Sequence, residues 1–448
     1  MTTAAPRLFG TDGIRGVAGA PPLDPPTIAR IGSAIVRVLG LDHPARLVVG
    51  RDTRESGEWI ERELARGAGS AGAAVTSIGV APTPVVACLA SGLDFDLGVV
   101  LSASHNPYED NGIKVFSGRG EKFDEPRERE VEALVADRSW KVPADARPPA
   151  AAGALVERYL EHVGRLLPDA GRLRGARIAV DMANGATVAT AARVLTRLGF
   201  DVVPVGDEPD GRNINEGCGS THPARLSAAV TSHGCRLGVA FDGDGDRAIF
   251  VDHDGHVVDG DAVLLTLALD YQRLERLTGG TVVATVMSNI GLEIALKRHG
   301  IRLVRTAVGD KHVMEEMLRG GYVLGGEQSG HVILTEHLPT GDGLATALAV
   351  LGVVAGTGRE LSDLARELVT YPQTLVNVRV RDKAPVDSVP EIQAAIARVQ
   401  AAVGDRGRVL VRYSGTEPLL RVMIEGEDHA SIQAWAEEIA EATRKSLG

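Results

Sequence analysis

A chain of 448 residues, 44% hydrophobic and 24% charged, has the composition of a soluble globular protein and the length of three or four separately cored domains. Its formal charge of −11, with no compensating Lys/Arg run, argues against a nucleic-acid partner, and three cysteines without pairing or metal spacing (Cys88, Cys218, Cys235) predict a reducing compartment. The start MTTAAPRLFG lacks the apolar core of a signal peptide, and the uncharged runs 67–93 and 343–358 are broken by Gly, Ser, Thr and Pro or too short to span a bilayer, so a cytoplasmic protein with no membrane partner is expected.

In chain order, FGTDGIRGVAG (Phe9 to Gly19) reads as a glycine-rich loop holding Asp12 and Arg15. Leu23-Asp24-Pro25-Pro26 starts a helix that Asp24 caps and that ends near Gly40. A strand from Arg46 to Gly50 runs into Arg51-Asp52-Thr53-Arg54, and helix and strand patterns then alternate to Leu101, as in an α/β layer fold. Gly67-Ala68-Gly69-Ser70-Ala71-Gly72 spells the dinucleotide-binding fingerprint. It follows a helix and precedes a strand, the reverse of the required order, and is rejected as a cofactor site.

The apolar run from Gly98 breaks at Ser102-Ala103-Ser104-His105-Asn106-Pro107 and recovers at Ile113 to Phe116, which carries Lys114. Asn111-Gly112 is expected to supply the returning turn. A strand ending in such a loop puts a hydroxyl at its tip, where catalytic groups of α/β proteins sit. Ser102 and Ser104 share one spacing, so both remain candidates. Pro143 to Ala152 reads as a linker.

A second α/β unit follows with strands Arg177 to Asp181, Leu237 to Phe241 and Ala248 to Asp252, the last two flanking Asp242-Gly243-Asp244-Gly245-Asp246-Arg247. A third alternates through Thr281 to Val286, Arg302 to Thr306 and Tyr322 to Leu324, presents Gly325-Gly326-Glu327-Gln328-Ser329-Gly330-His331, and closes with an apolar helix after Asp342. From Tyr371 the pattern changes to a small α+β domain: a strand over Leu375 to Val380, a helix, two strands around Arg412 to Pro418, and an amphipathic helix from His429. The expected domains are 1–150, 151–255, 256–369 and 370–448, three similar α/β mixed-sheet domains plus a C-terminal α+β domain.

Asp242, Asp244 and Asp246, spaced by two with glycines between, can turn alternate carboxylates the same way. Three such groups repel unless a cation neutralises them, and all-oxygen ligands suit Mg²⁺ or another hard divalent ion. An EF-hand is excluded because Arg247 stands where that loop needs Gly and His253 where it needs the bidentate Glu. Arg247 can pair with a phosphate bound there. The loop Gly325 to His331 mixes carboxylate, amide and imidazole, groups that can bind sugar hydroxyls. Arg412-Tyr413-Ser414-Gly415-Thr416 gathers a guanidinium, two hydroxyls and a glycine backbone, a set that suits a phosphate dianion, with Arg421 on the following strand. With no G-x-S-x-G elbow, an acyl-transfer hydrolase built on Ser104 and His105 is set aside.

Together and in this order, FGTDGIRG, SASHNP with NGIK, DMANGAT, DGDGDR, VMSNIGLE, GGEQSGH, TGDG and SGTEPLLRVM resemble the α-D-phosphohexomutase superfamily over essentially the whole chain. SASHNP, the Gln of GGEQSG and SGTEP are closest to its bacterial glucosamine branch, rather than to the phosphomannomutase and phosphoglucomutase branches. The resemblance implies four domains around a central active-site cleft and interconversion of glucosamine 6-phosphate and glucosamine 1-phosphate, feeding UDP-N-acetylglucosamine and cell-wall precursors. It implies that Ser104 is the phosphoserine, that Asp242, Asp244, Asp246 and a phosphoserine oxygen hold one Mg²⁺, and that Arg15 and Arg247 steady the phosphoryl group. Glu327 and Ser329 would bind sugar hydroxyls, and Arg412, Ser414, Gly415, Thr416 and Arg421 the non-reacting phosphate. His331 and Lys114 are the candidate bases, the latter needing a lowered pKa. A glucose or glucosamine 1,6-bisphosphate as priming activator and a homodimer are further implications. One departure stands out: the family often reads VGDRYV where this chain has Val308-Gly309-Asp310-Lys311-His312-Val313, so Lys311 keeps the charge at a substrate-binding position but loses the bidentate fork. A metal-dependent phosphohydrolase and a non-enzymatic sugar-phosphate-binding protein are the more distant alternatives.

Overall fold

A computed structural model describes residues 7–144, 148–168, 170–414 and 417–448. The chain divides into two compact units, Met1–Met287 with Leu303–Arg366, and Ser288–Arg302 with Glu367–Gly448.

The first unit opens with strands β1 (Phe9–Gly10), β2 (Gly13–Val17), β3 (Arg46–Arg51), β4 (Ala74–Val80), β5 (Leu97–Leu101), β6 (Asp110–Ser117) and β7 (Ala150–Ala151), in the sheet order β1-β2-β6-β5-β3-β4-β7. β3 runs parallel to β4 and β5, while β6 is antiparallel to β5 and β2, so the sheet is mixed. β5, LGVVL, is buried along its whole length, the mark of a strand covered on both faces. The expected linker thus ends in an edge strand, β7, paired with Thr76 and Ser77.

Helices α1 (Pro25–Arg37), α2 (Gly57–Ser70), α3 (Thr83–Gly92) and α4 (Glu125–Ala136) accompany this sheet. Two prolines preset the first turn of α1, and Asp24 Oδ1 accepts from Thr27 N at 3.2 Å, so the cap read from sequence is the one that forms. Ile28, Ile31 and Ile35 of α1 join Leu64 of α2 and Leu47 and Leu97 of the sheet in one core. The dinucleotide-like glycine run is the last turns of α2 and the turn after it. A Cβ on Gly67 would overlap the Ala29 carbonyl of α1, so glycine is there to let two helices touch. Gly67→Ala forces that crossing apart and is expected to destabilise the first domain by about 1–3 kcal/mol. Thermal unfolding reads this directly, and an unchanged transition would mean that the close crossing does not exist in solution.

The next sheet has the order β12-β11-β10-β8-β9, from β8 (Arg177–Asp181), β9 (Asp201–Val205), β10 (Leu237–Phe241), β11 (Ala248–Asp252) and β12 (Val257–Val258). β10, β8 and β9 are parallel, and β11 and β12 are added antiparallel. α5 (Val156–Gly164), which precedes this sheet in the chain, lies against α3, while α6 (Ala191–Arg197) and α7 (Ala224–His233) pack on the sheet. The third stretch contains α8 (Gly260–Arg273), β13 (Thr281–Thr285), α9 (Ile290–Arg298), β14 (Arg302–Thr306), α10 (Asp310–Gly320), β15 (Leu324–Gly326), β16 (Val332–Leu334), α11 (Gly343–Thr357) and α12 (Leu361–Ala365), with sheet order β14-β13-β15-β16. α11 is the uncharged run after Asp342, whose Oδ1 accepts from Ala345 N at 2.9 Å. Among the described residues no helix is long and apolar enough to cross a membrane.

The second unit has an all-antiparallel sheet, β17-β19-β18, from β17 (Gln373–Arg379), β18 (Arg408–Tyr413) and β19 (Leu419–Glu425), with helices α13 (Pro390–Val403) and α14 (His429–Leu447). α9 belongs to this unit. The buried Glu425 accepts from Ile290 N at the start of α9 at 3.1 Å and pairs with Arg408 at 2.9 Å.

Candidate active site

Ser104 lies between the end of β5 and the start of β6. Its φ is +53°, a left-handed conformation uncommon for a residue with a Cβ. Ser102 Oγ accepts from Ser104 N at 2.9 Å and donates to Asp52 Oδ2 at 2.5 Å. Ser104 Oγ instead donates to Asp242 and lies 3.3 Å from His105 Nδ1. Of the two serines that spacing left open, Ser104 is the one whose hydroxyl meets the acidic loop. The returning turn is not at Asn111-Gly112. Those residues lie inside β6, opposite Gly16 and Arg15 of β2, and the reversal is made earlier, closed by Asn106 N to Ala103 O at 3.1 Å and Asp110 N to Pro107 O at 3.2 Å.

The acidic run is the connection from β10 to its antiparallel neighbour β11. A Cβ on Gly243 would overlap the carbonyl oxygen of Ser104, so this glycine lets the acidic loop press against the serine loop. Asp242, Asp244 and Asp246 are all buried, and each brings one carboxylate oxygen within 4.8 Å of the others. Burial, together with Asp246 and Asp244, pushes the Asp242 carboxyl well above the ordinary carboxylate range. For Asp246 burial is outweighed by Lys114, His331 and Arg247, and its pKa falls well below that range. Thr83 Oγ1 donates to Asp244 Oδ2, while the buried Asp244 Oδ1 accepts no hydrogen bond among the described residues. A buried, oxygen-only set with an unused acceptor fits a hard divalent cation.

Lys114, on β6, donates from Nζ to Asp244 Oδ2 at 2.6 Å and Asp246 Oδ2 at 2.8 Å, and lies 3.5 Å from Asp12 Oδ1. Burial opposes its charge, but the three carboxylates hold its pKa well above the usual lysine value. The lowered pKa expected for a basic Lys114 is therefore not what its surroundings produce, because the fold brings carboxylates closer to it than cations. An antiparallel bridge joins His331 to Arg247 and ties the two motif loops together. His331 Nδ1 is 3.5 Å from Asp246 Oδ1, and Nε2 is 3.5 Å from Asp310 Oδ2. Burial works against its charge too, yet Asp246, Asp310 and Glu327 raise its pKa to about 9. Arg247 N donates to Asp242 Oδ1 at 3.1 Å. Arg15 pairs with Asp12 and donates from Nη1 to Asn106 Oδ1 at 3.4 Å.

Glu327 Oε1 accepts from Gly309 N at 3.2 Å and Oε2 from Ser329 Oγ at 3.4 Å. Lys311 Nζ is 3.0 Å from Glu128 Oε2, so in this structure its charge is matched by a carboxylate of α4. Arg412, Ser414 and Arg421 lie in the second unit. Arg412 and Arg421 stand opposite each other on β18 and β19, and burial with that neighbouring charge lowers the pKa of Arg412. Two guanidiniums so placed favour an anion. The Ser414 carbonyl accepts from Lys383 Nζ at 2.6 Å. Gly415 and Thr416 lie outside the described residues.

Two contributors carry no signal in the sequence. Lys122 Nζ bridges Asp12 Oδ1 at 2.9 Å and Asp310 Oδ2 at 2.6 Å, linking the first glycine-rich loop to α10. Asn215 Nδ2 donates to the carbonyls of Ser104 at 2.9 Å and Asn106 at 3.1 Å. Neither sits in a string with a spacing signal.

Three mixed sheets and an antiparallel α+β domain, with a serine hydroxyl on a buried acidic loop, define a phosphoryl-transfer enzyme of a multidomain α/β class. The chain matches, domain by domain, the family descriptions "Phosphoglucomutase/phosphomannomutase, alpha/beta/alpha domain I" over residues 6–141, domain II over 157–255, domain III over 259–371, and "C-terminal domain" over 375–442. It belongs to the phosphoglucomutase/phosphomannomutase family. It is 46% identical over 452 residues to the phosphoglucosamine mutase of Syntrophotalea carbinolica, covering 99% of this chain and 98% of that one. To the phosphoglucosamine mutase of Symbiobacterium thermophilum it is 48% identical over 451 residues, covering 99% and 100%. Among solved structures, a phosphoglucomutase/phosphomannomutase family protein of Burkholderia thailandensis aligns over 100% of this chain and 99% of its own, with a TM-score of 0.81 and 25% identity. The N-acetylphosphoglucosamine mutase of Aspergillus fumigatus, solved with GlcNAc-6P and magnesium, shares the fold over 98% of this chain and 96% of its own, with a TM-score of 0.70 at 19% identity.

Proposed function

We propose that this chain is a phosphoglucosamine mutase, interconverting glucosamine 6-phosphate and glucosamine 1-phosphate through a phosphoserine at Ser104 and a glucosamine 1,6-bisphosphate intermediate, and so supplying UDP-N-acetylglucosamine and cell-wall synthesis. The observation that carries the reading is the Ser104 hydroxyl on Asp242, in a chain 46% identical over its full length to a protein of that name.

In one half-reaction the bond from phosphorus to Ser104 Oγ breaks as a bond to the sugar's free hydroxyl oxygen forms, and that hydroxyl's proton passes to a base. After the bisphosphate turns around, its other phosphoryl returns to Ser104. Such transfers depend on positioning and charge neutralisation more than on covalent help. Asp242, Asp244 and Asp246, with a phosphoserine oxygen, would hold Mg²⁺, which when bound would supply Lewis-acid neutralisation of the transferring group. Arg15 and Arg247 steady that group from the protein side. Lys114 and His331 are the proton-transfer groups. The raised pKa values of both favour starting as the acid: the group that gives its proton to the leaving Ser104 oxygen is then the base that receives the proton of the sugar hydroxyl. Glu327, Ser329 and Lys311 bind the sugar. Arg412, Ser414, Gly415, Thr416 and Arg421 bind the phosphate that is not reacting.

On this reading residues 1–150 carry the phosphoserine, 151–255 the metal ligands, 256–369 the sugar loop and 370–448 the phosphate loop. Priming by glucose or glucosamine 1,6-bisphosphate, a cytoplasmic location and a homodimer belong to the same reading. A serine-to-alanine variant of the Aspergillus enzyme has been solved with glucose 1,6-bisphosphate. Coupled assays comparing glucosamine, glucose and mannose phosphates decide the branch. Glucosamine phosphate is expected to turn over fastest. A faster hexose or mannose reaction would move the chain to the phosphoglucomutase or phosphomannomutase branch, and phosphate release without isomer formation would make it a hydrolase.

A further inference from the structure

Arg54 and Asp52 take no part in the chemistry above, yet they are 1% and 0% exposed. Burying such a pair carries a large desolvation cost unless its remaining donors and acceptors are all used. Arg54 Nε lies 2.8 Å from Asp52 Oδ2. The other two nitrogens reach the serine loop and the start of β6, Nη2 donating to the carbonyls of Ser104 at 3.0 Å and Asn106 at 2.9 Å, and Nη1 to those of Asp110 at 2.9 Å and Pro107. Asp52 holds the same loop from its other side. Its Oδ2 accepts from Ser102 Oγ, which in turn accepts from Ser104 N. Both the amide and the carbonyl of Ser104 are thus tied back to one buried ion pair, and Asn215 adds a second donor to the carbonyl. A non-glycine residue in the left-handed region persists where its surroundings over-determine it, and here the surroundings are Arg54, Asp52 and Ser102.

We infer that Arg54, with Asp52 and Ser102 relaying to the Ser104 amide, is the positioning residue that locks the nucleophile's backbone and aims its hydroxyl at the acidic loop. The inference rests on Ser104 being the phosphoryl carrier. Lysine cannot take the place of Arg54, because a single ammonium cannot span a carboxylate and four carbonyls from one planar fork.

The test uses the full chain with Arg54→Lys and Ser102→Ala, both measured per folded molecule by thermal melting. Readouts are kcat, KM for the sugar phosphate, and transfer of label from a labelled sugar bisphosphate to the Ser104 peptide. For Arg54→Lys, kcat and label transfer are expected to fall about 10²-fold, the scale of a misplaced reacting group. KM is expected to stay within about twofold, since no substrate contact is removed. Ser102→Ala, which leaves Arg54 and the core in place, should lose about fivefold in kcat, the scale of losing the one hydrogen bond that holds the Ser104 amide. If Arg54→Lys does not fold, Ser102→Ala decides alone. A kcat within about twofold of wild type in the folded variants, or a loss confined to KM, overturns the inference. A wild-type chain that takes no label on Ser104 overturns the phosphoserine reading and this inference with it. Labelled wild type with undiminished variants overturns this inference only.

Discussion

The Ser104→Ala protein is expected to lose at least about 10⁴-fold in mutase turnover while still binding sugar phosphate, because the covalent carrier is gone and the binding groups are not. Alanine keeps the Cβ, so the left-handed backbone at φ +53° is no more strained than with serine. The substitution removes one oxygen and its hydrogen bond to Asp242 and leaves the contacts of Ser102, Asp52 and Arg54 in place. Intact-mass measurement after exposure to a sugar bisphosphate should show one added phosphoryl on the wild-type chain and none on the variant. The control is Ser102→Ala. Were that variant dead and Ser104→Ala active, the hydroxyl that accepts phosphate would be the one now seen donating to Asp52, and the whole arrangement would have to be read one turn of chain earlier.

What could be read from the sequence and what could not divide along a physical line. Asp24, the cap expected from sequence, accepts from the amide three residues on, and Asp342 and Asp428 do the same ahead of α11 and α14, a local interaction written in local sequence. The acidic run between two apolar strands was legible for the same reason. Ser102 and Ser104 were not separable, because the group that tells them apart, Asp52, comes from the end of β3 and lies 50 positions away in the chain. Lys122 is a single lysine in a polar stretch, and only folding brings it between Asp12 and Asp310. Gly325 and Gly326 look like loop by propensity, yet they pair in parallel with Val283 and Ala284, so non-local pairing overrides the local preference. Asn111-Gly112 erred in the same direction: a favoured turn pair is carried inside β6, where Asn111 Nδ2 donates to Ser56 Oγ at 2.8 Å. The charge state of Lys114 also needed the fold, since its sign of shift depends on which of several nearby charges comes closest.

The second large effect concerns the acidic loop. Asp242 is pushed toward its neutral form by burial and by its two neighbours, while Asp246 stays ionised through Lys114, His331 and Arg247. A buried cluster so divided gains most from a divalent ion, which lets all three carboxylates carry charge together. Removing divalent ions with chelator should therefore cut turnover by about 10³-fold, the scale of losing Lewis-acid neutralisation at a phosphoryl group, and added Mg²⁺ should restore it. Lys114 already contacts Asp244 and Asp246, so the chelated protein should remain folded, and its circular dichroism should be unchanged. Asp244→Ala should bind Mg²⁺ more weakly by calorimetry and lose turnover that extra Mg²⁺ does not fully recover, since it removes a buried carboxylate oxygen that accepts no hydrogen bond among the described residues. Full turnover in chelator would leave the three carboxylates as a charged floor for Lys114 and His331 and nothing more.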